Sequence, residues 1–277
     1  MSKPVPLSVW VFAGVDPSGG AGITQDLRVL SSLGLAPRAF PTALTVQNIR
    51  EVRNVHPVSP SVFREMICAL GEVERPAGLK IGLLPDALAD VAADAIREWC
   101  QGIPVVLDPV FRFGSGDHFH DPKAFLGLAR RLFPFSEIVT PNLPEAEILL
   151  GRSIPGDKDA LVDAAGEIRE RFRPAAVYLK GGHAEGLRKI DVCVDERDLL
   201  VLDLPEVRLP GLHGGGCTLA SLILGFRVRE RGQRISDAAV KARKLFQESL
   251  RWEGEREGGH RRTLEDYFSR PFLYQGP

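Results

Sequence analysis

The sequence predicts an α/β protein, one large domain built on a parallel sheet with crossover helices. Three observations predict it. Short apolar runs of strand length alternate with longer, helically spaced patterns. Glycine-dense turns follow the first apolar run and precede the stripe Leu219, Leu222, Ile223 and Phe226. The 277 residues are 44% hydrophobic with a formal net charge of -1, which describes a globular chain with a large core.

Residues 7–13 read as a buried strand, followed by Gly14-Val15-Asp16-Pro17-Ser18-Gly19-Gly20-Ala21-Gly22 and a helix beginning near Ile23. That turn matches neither the Gly-x-Gly-x-x-Gly dinucleotide fingerprint nor the Gly-x-x-x-x-Gly-Lys-Ser/Thr phosphate loop. Residues 42–46 form the next strand, with Gln47 and Asn48 at its carboxyl end, the edge where open α/β sheets bind ligands. Gln47 reads as a surface amide or as a contact to a heteroaromatic ring, since an amide donates and accepts together. Residues 51–58 alternate weakly, as a short extra strand or flap, and Ser59-Pro60 opens a helix reaching about Glu72. Residues 79–84 are another apolar run, with a helical pattern through Val91, Ala95 and Trp99 behind it. The strand 104–107 ends at Asp108-Pro109, where a carboxylate faces the ligand crevice. Gly114-Ser115-Gly116-Asp117 then precedes a helix start at Asp121-Pro122.

The strand ending at Thr140 leads through Pro141-Asn142-Leu143-Pro144-Glu145 into a short helix. Asn142 reads as its cap and Glu145 as compensation of its dipole, or the two as oxygen ligands on one face of a turn, the donors Mg²⁺ prefers. Residues 175–179 form a strand ending at Lys180-Gly181-Gly182-His183, whose lysine is either solvated or within reach of a phosphate. Residues 189–194 and 199–204 read as a hairpin. Gly211-Leu212-His213-Gly214-Gly215-Gly216-Cys217-Thr218 then opens a helix. Glycines there let the backbone approach a ligand closely, with free amides and the positive end of the dipole facing an anion. Cys217 falls in the first turn, where the dipole enriches the thiolate, or it packs as a small apolar residue. A further helix follows, capped by Ser236, with Ala238, Ala242, Leu245, Phe246 and Ser249 on one face.

These elements place one α/β domain over 1–252 and a charged segment over 253–277, in which Leu264, Tyr267, Phe268, Phe272 and Leu273 point to docking. No internal repeat or low-complexity stretch interrupts them. Near-neutral charge without a basic patch gives no footprint for nucleic acid. The widely spaced Cys68, Cys100, Cys193 and Cys217 include no Cys-x-x-Cys pair, so neither zinc nor a disulfide framework is indicated and a reducing cytoplasm is expected. The apolar run 9–15 is too short to span a bilayer and lacks a cleavage pattern.

Seven stretches, in order, carry a resemblance: 15–22, 42–48, Lys80-Ile81-Gly82, Leu107-Asp108-Pro109-Val110, 140–147, Lys180-Gly181-Gly182-His183, and His213-Gly214 with Gly216-Cys217-Thr218. Together they resemble the hydroxymethylpyrimidine and phosphomethylpyrimidine kinases of thiamin biosynthesis, members of the ribokinase-like superfamily, from about residue 8 to residue 250. The resemblance implies a three-layer sandwich, a central mostly parallel sheet with helices on both faces. It also implies transfer of the γ-phosphoryl group of ATP to 4-amino-5-hydroxymethyl-2-methylpyrimidine and then to its monophosphate, with Mg²⁺, in a cytoplasmic homodimer.

By the same resemblance, Gly214, Gly215, Gly216 and Cys217 would hold the moving phosphoryl group, Cys217 accepting the alcohol's proton. Gly14, Asp16, Ala21, Gln47 and Leu83 would line the pyrimidine site. Lys180 and His213 would meet the nucleotide, and Asp108, Asn142 and Glu145 would hold Mg²⁺ directly or through water. The sequence departs from the family's usual Thr-His-Gly-Thr-Gly-Cys, with Leu212 and Gly215 at the threonines, and Gly114 stands where relatives carry a lysine, with Arg112 nearby. Two alternatives accompany this reading: a pyridoxal kinase of the same superfamily, or a catalytically weakened homologue that binds pyrimidine phosphate in a regulatory role.

Overall fold

Strand β1 (Ser8–Val15) carries both hydrophobic cores of the molecule. Its residues alternate: Trp10 and Phe12 enter one core, Val9, Val11 and Ala13 the other, all fully buried. Such burial on both faces is the signature of a sheet covered by helices on each side. The structure is a computed structural model describing residues 5–48, 51–111, 119–181, 188–205, 207, 209, 212–254 and 263–270.

The other strands are β2 (Ala36–Gln47), β3 (Val52–Pro57), β4 (Leu79–Ile81), β5 (Val105–Leu107), β6 (Ile138–Val139), β7 (Ala176–Gly181), β8 (Arg188–Val194) and β9 (Leu199–Pro205). They make one sheet in the order β3-β2-β1-β4-β5-β6-β7-β8-β9. The pairs from β2 through β7 are parallel, while β3 and the β8–β9 hairpin add antiparallel edges. Chain order reverses at β1 and β4, so their carboxyl ends flank the topological switch point where open sheets bind ligands.

Helices α2 (Pro60–Gly71), α3 (Ala89–Trp99), α4 (Pro122–Leu132), α5 (Leu143–Leu150) and α6 (Lys158–Phe172) pack with Trp10 and Phe12. Helices α1 (Gly22–Ser32), α7 (Gly215–Arg229), α8 (Ile235–Gly254) and α9 (Glu265–Phe268) pack with the opposite face. This is the expected three-layer arrangement. Helix α7 lies between the sheet and its neighbours, so Thr218 through Phe226 are buried all round rather than along one stripe.

Several boundaries differ from the sequence expectation. β2 begins at Ala36, six positions before Thr42, and contains Pro37 and Pro41. Its pairing with β3 starts only at Ala43, so the prolines stand on an unpaired edge where a missing N–H is tolerated. Helix α6 has no counterpart in the sequence reading, although Asp157 caps it and Leu161, Ala164, Ala165, Ile168 and Phe172 bury one face. Ser236 is not a cap: it lies inside α8, and its hydroxyl donates to Asp198 Oδ2 at 2.9 Å. Helix α8 passes the expected boundary at 252 and ends at Gly254, with Glu253 still buried. Arg112, Gly114 and the 114–117 segment lie outside the described residues, as do Gly182, His183, Gly211, Phe272, Leu273 and residues 255–260 of the charged segment.

Candidate active site

Two glycine turns meet at the carboxyl edge of the sheet, one after β1 and one before α7. Their backbones touch. Gly214, at φ +81°, leaves so little room that a β-carbon there would lie 1.9 Å from the Gly20 carbonyl oxygen. Gly22, at φ +57°, is equally confined, since its β-carbon would lie 2.4 Å from the Gly14 oxygen. Only glycine combines a positive φ with such approach at low cost.

The turn after β1 is stapled by Asp16, which is 2% exposed. Its Oδ1 accepts from the Ser18 amide at 2.8 Å and hydroxyl at 2.7 Å, and its Oδ2 accepts from the Ala21 amide at 2.9 Å. His213 Nε2 lies 2.8 Å from the same Oδ2 and joins the two turns. Burial alone would raise the Asp16 pKa, but the bonds from His213 and Ser18 hold it at about 2. Asp16 is thus a carboxylate committed to loop geometry, and His213 Nε2 is committed to Asp16. Leu83, after β4, closes on Gly14: a β-carbon at Gly14 would lie 2.7 Å from Leu83 Cδ2. Gln47 ends β2 at the same edge, half-exposed, and its amide joins neither the Asp16 nor the Asp108 network.

Asp108 follows β5 and is 3% exposed. Lys180 Nζ and Thr140 Oγ1 each donate to its Oδ1 at 2.8 Å. Burial would raise its pKa, but Lys180 and Lys80 hold the carboxyl below its ordinary value. The other oxygen, Oδ2, faces α7: a β-carbon on Gly216 would lie 3.4 Å from Asp108 Oδ2 and 3.5 Å from Lys180 Nζ. The first turn of α7 therefore lies against a half-buried cation and a buried carboxylate.

Asn142 and Glu145 form a capping box on α5. Asn142 Oδ1 accepts from the Glu145 amide at 2.9 Å, and Glu145 Oε2 accepts from the Asn142 amide at 2.8 Å. Glu145 Oε1 also accepts from the Phe111 amide at 3.3 Å. Burial pushes the Glu145 carboxyl up to about 7 despite Lys180 beside it, and Asp108 adds to the rise. Of the two sequence readings, the cap is realised in the bonds. Among the described residues no group of three or more His, Cys, Asp and Glu side chains is arranged to hold a metal ion.

Cys217 sits in the first turn of α7, where the backbone of Gly22 at the start of α1 favours its thiolate. The expected thiolate is corrected here. Burial pushes the thiol up to about 11; Lys80 opposes the rise, while Asp26 and Asp108 add to it. Loss of hydration outweighs two helix N-termini.

Beneath this sulfur lies a buried network to which the sequence reading gave no role. Lys80 and Asp26, both with fully buried side chains, pair at 2.7 Å, and Ser221 Oγ donates to Asp26 Oδ1 at 2.8 Å. Burial disfavours the Lys80 cation, but Asp26 raises its pKa and keeps it charged. The signal was a lysine inside the apolar run 79–84 and an aspartate on the buried face of α1. A charge on such a face needs a partner, and the sequence alone does not say which.

Comparisons with known proteins identify the family. The thiamine biosynthesis bifunctional protein ThiED of Geobacter sulfurreducens is 34% identical over 88% of the chain, which spans only 49% of that protein. A hydroxymethylpyrimidine/phosphomethylpyrimidine kinase of Rhizobium meliloti is 36% identical over 76% of the chain and 79% of its own length. The crystal structure of phosphomethylpyrimidine kinase from Clostridium difficile has a TM-score of 0.76 at 29% identity, covering 88% of this chain and 99% of that one. The model of the phosphomethylpyrimidine kinase family matches residues 16–263, from the Asp16 staple through α7 and α8, and the chain belongs to that family.

Proposed function

We propose that the chain is an ATP-dependent kinase that phosphorylates the hydroxymethyl group of 4-amino-5-hydroxymethyl-2-methylpyrimidine and then the resulting monophosphate. One observation carries this reading: Lys180 and Asp108 stand at the first turn of α7, beside Cys217 and two touching glycine turns. Phosphoryl transfer asks chiefly for alignment and charge stabilisation. The free amides of α7 and the Lys180 ammonium supply both to the equatorial oxygens of the moving group. The turn after β1, with Gly14, Leu83 and Gln47 around it, holds the ring, and Asp16 keeps that turn in shape.

The oxygens around Asp108 fit a hydrated magnesium ion rather than a bare one. Asp108 Oδ2 faces the site, whereas the Asn142 and Glu145 oxygens already accept amide hydrogens, and Mg²⁺ retains its waters readily. Bound there, the ion would neutralise charge on the phosphates. Asp108 and Glu145 would hold the hydrated ion through its waters, and Lys180 keeps Asp108 ionised.

Cys217 takes the alcohol's proton only as thiolate, so the bound state must supply that form or the rate must climb with pH. Leu212 softens the loss of threonines from the turn: its Cδ2 would lie 2.9 Å from a β-carbon on Gly215, so the larger residue fills space the smaller one leaves. The same reading includes a homodimer, checked by the mass of the eluted protein in light scattering. Among the described residues no helix is long and apolar enough to cross a membrane.

A coupled assay for ADP release with hydroxymethylpyrimidine, its monophosphate and pyridoxal side by side tests the proposal. Turnover with both pyrimidines above that with pyridoxal is expected. Faster turnover with pyridoxal would replace the substrate, and thermal stabilisation by the pyrimidine phosphate without any turnover would favour the regulatory alternative.

A further inference from the structure

The family match ends at Thr263, yet the next residues pack directly on the turn after β1. A β-carbon at Gly20 would lie 2.5 Å from Thr263 Cγ2 and 2.9 Å from His213 Cδ2, so three segments distant in sequence close on one glycine. At Gly19, with φ +79°, the β-carbon would lie 2.7 Å from Glu265 Oε1. Neither position has room for a side chain while the late segment is seated.

A polar relay continues inward from the same segment. Glu265 Oε1 lies 3.8 Å from Arg28 Nη1, which donates to the Gly19 carbonyl at 2.8 Å and to Gln25 Oε1 at 3.0 Å. Gln25 Nε2 donates in turn to Thr218 Oγ1 at 3.1 Å, one residue past Cys217. Leu264, Tyr267 and Phe268 anchor the segment in the core shared with α1, α7 and α8, at 0%, 6% and 2% exposure. Lifting it would expose all three to water, so the seated position is the stable one.

We propose that residues 263–268 are a strap that preorganises the turn after β1, with Thr263 and Glu265 as positioning residues for the alcohol substrate; this rests on the function proposed above. The strap compensates for a loosened partner turn. Gly215 provides no side chain to brace the loop before α7, and Gly214 packs closely on the Gly20 carbonyl. Thr263 packs on the same Gly20.

The test uses the full chain and two substitutions. Leu264→Asp unseats the segment, and Glu265→Ala leaves its apolar anchors in place while removing the contact at Gly19 and Arg28. Hydrogen exchange of residues 16–22 is read with the KM values for pyrimidine and ATP. The expected result is faster exchange at 16–22 in both variants and a pyrimidine KM raised about tenfold, with the KM for ATP within about twofold. Should Leu264→Asp fail to fold, Glu265→Ala decides alone. Unchanged exchange at 16–22 and an unchanged pyrimidine KM in Glu265→Ala would overturn the strap. If the wild-type chain turns over no pyrimidine, the proposed function fails, and exchange at 16–22 still decides the strap on its own.

Discussion

The two glycine turns at the sheet edge are held by opposite means. The turn after β1 is tied by side chains: Asp16 takes hydrogens from Ser18 and Ala21 and pairs with His213. The turn before α7 has no side-chain cap, and its Gly214 is fixed by contact with the Gly20 backbone. One turn is bonded within itself, and the other is wedged against it with His213 tying the two together. The difference teaches that the turn before α7 takes its shape from the turn after β1, so damage to either should reach both.

The largest effect is expected where the wedge is tightest. Gly214→Ala forces a β-carbon onto the Gly20 oxygen at a positive φ. Its kcat should fall by at least ~10²-fold, the scale of a lost preorganised donor. Near-normal kcat with an unshifted melting curve would show that the turn shapes itself independently.

Cys217→Ala removes the sulfur while leaving both turns in place. If the sulfur accepts the proton, turnover in the wild type climbs between pH 7 and 10 toward the thiol's value of about 11, and the variant loses that rise. A pH profile shared by the two proteins, at similar rates, would remove the sulfur from proton transfer.

The floor beneath both turns should respond as a pair. Lys80→Met or Asp26→Leu alone strands a buried charge and should cost about 3–5 kcal/mol, whereas the double variant should recover most of it. Urea unfolding of the three variants measures this. Equal losses in the single and double variants would mean that the pair does not interact as a unit.

The smallest expected effect is the pH dependence of the bonded turn. The Asp16 pKa is depressed in the fold to about 2, so its contribution is fully present above the unfolded value near 4 and is lost as pH falls through about 2. That contribution is about 2 kcal/mol. Comparison of wild type with Asp16→Asn by denaturant melts between pH 5 and 2 should show the difference between them shrinking with acid. A constant difference would place the Asp16 contribution elsewhere.

Much of this arrangement was legible in the sequence, because apolar runs ending in Asp108, Lys180 and Gln47 mark strand ends and sheet topology brings strand ends together. The two glycine turns were legible for the same reason. What sequence could not supply was pairing. Asp16 reads as a substrate contact until His213, 197 positions away, is seen on its Oδ2. Lys80 reads as an oddity in an apolar strand until Asp26 appears beside it. Of the two readings of Cys217, the buried thiol prevails over the thiolate, because helix position is visible in sequence while burial is not. Helix α6 was missed although its cap and stripe were present, whereas β2 was shortened because Pro37 and Pro41 argue against a strand unless its edge is known to be free.

The most direct test of the account is a ³¹P NMR time course with ATP, Mg²⁺ and hydroxymethylpyrimidine. The account predicts a pyrimidine monophosphate signal that rises first and gives way to a diphosphate as ADP accumulates. ATP that stays intact, or that yields only inorganic phosphate with the pyrimidine unmodified, would contradict it.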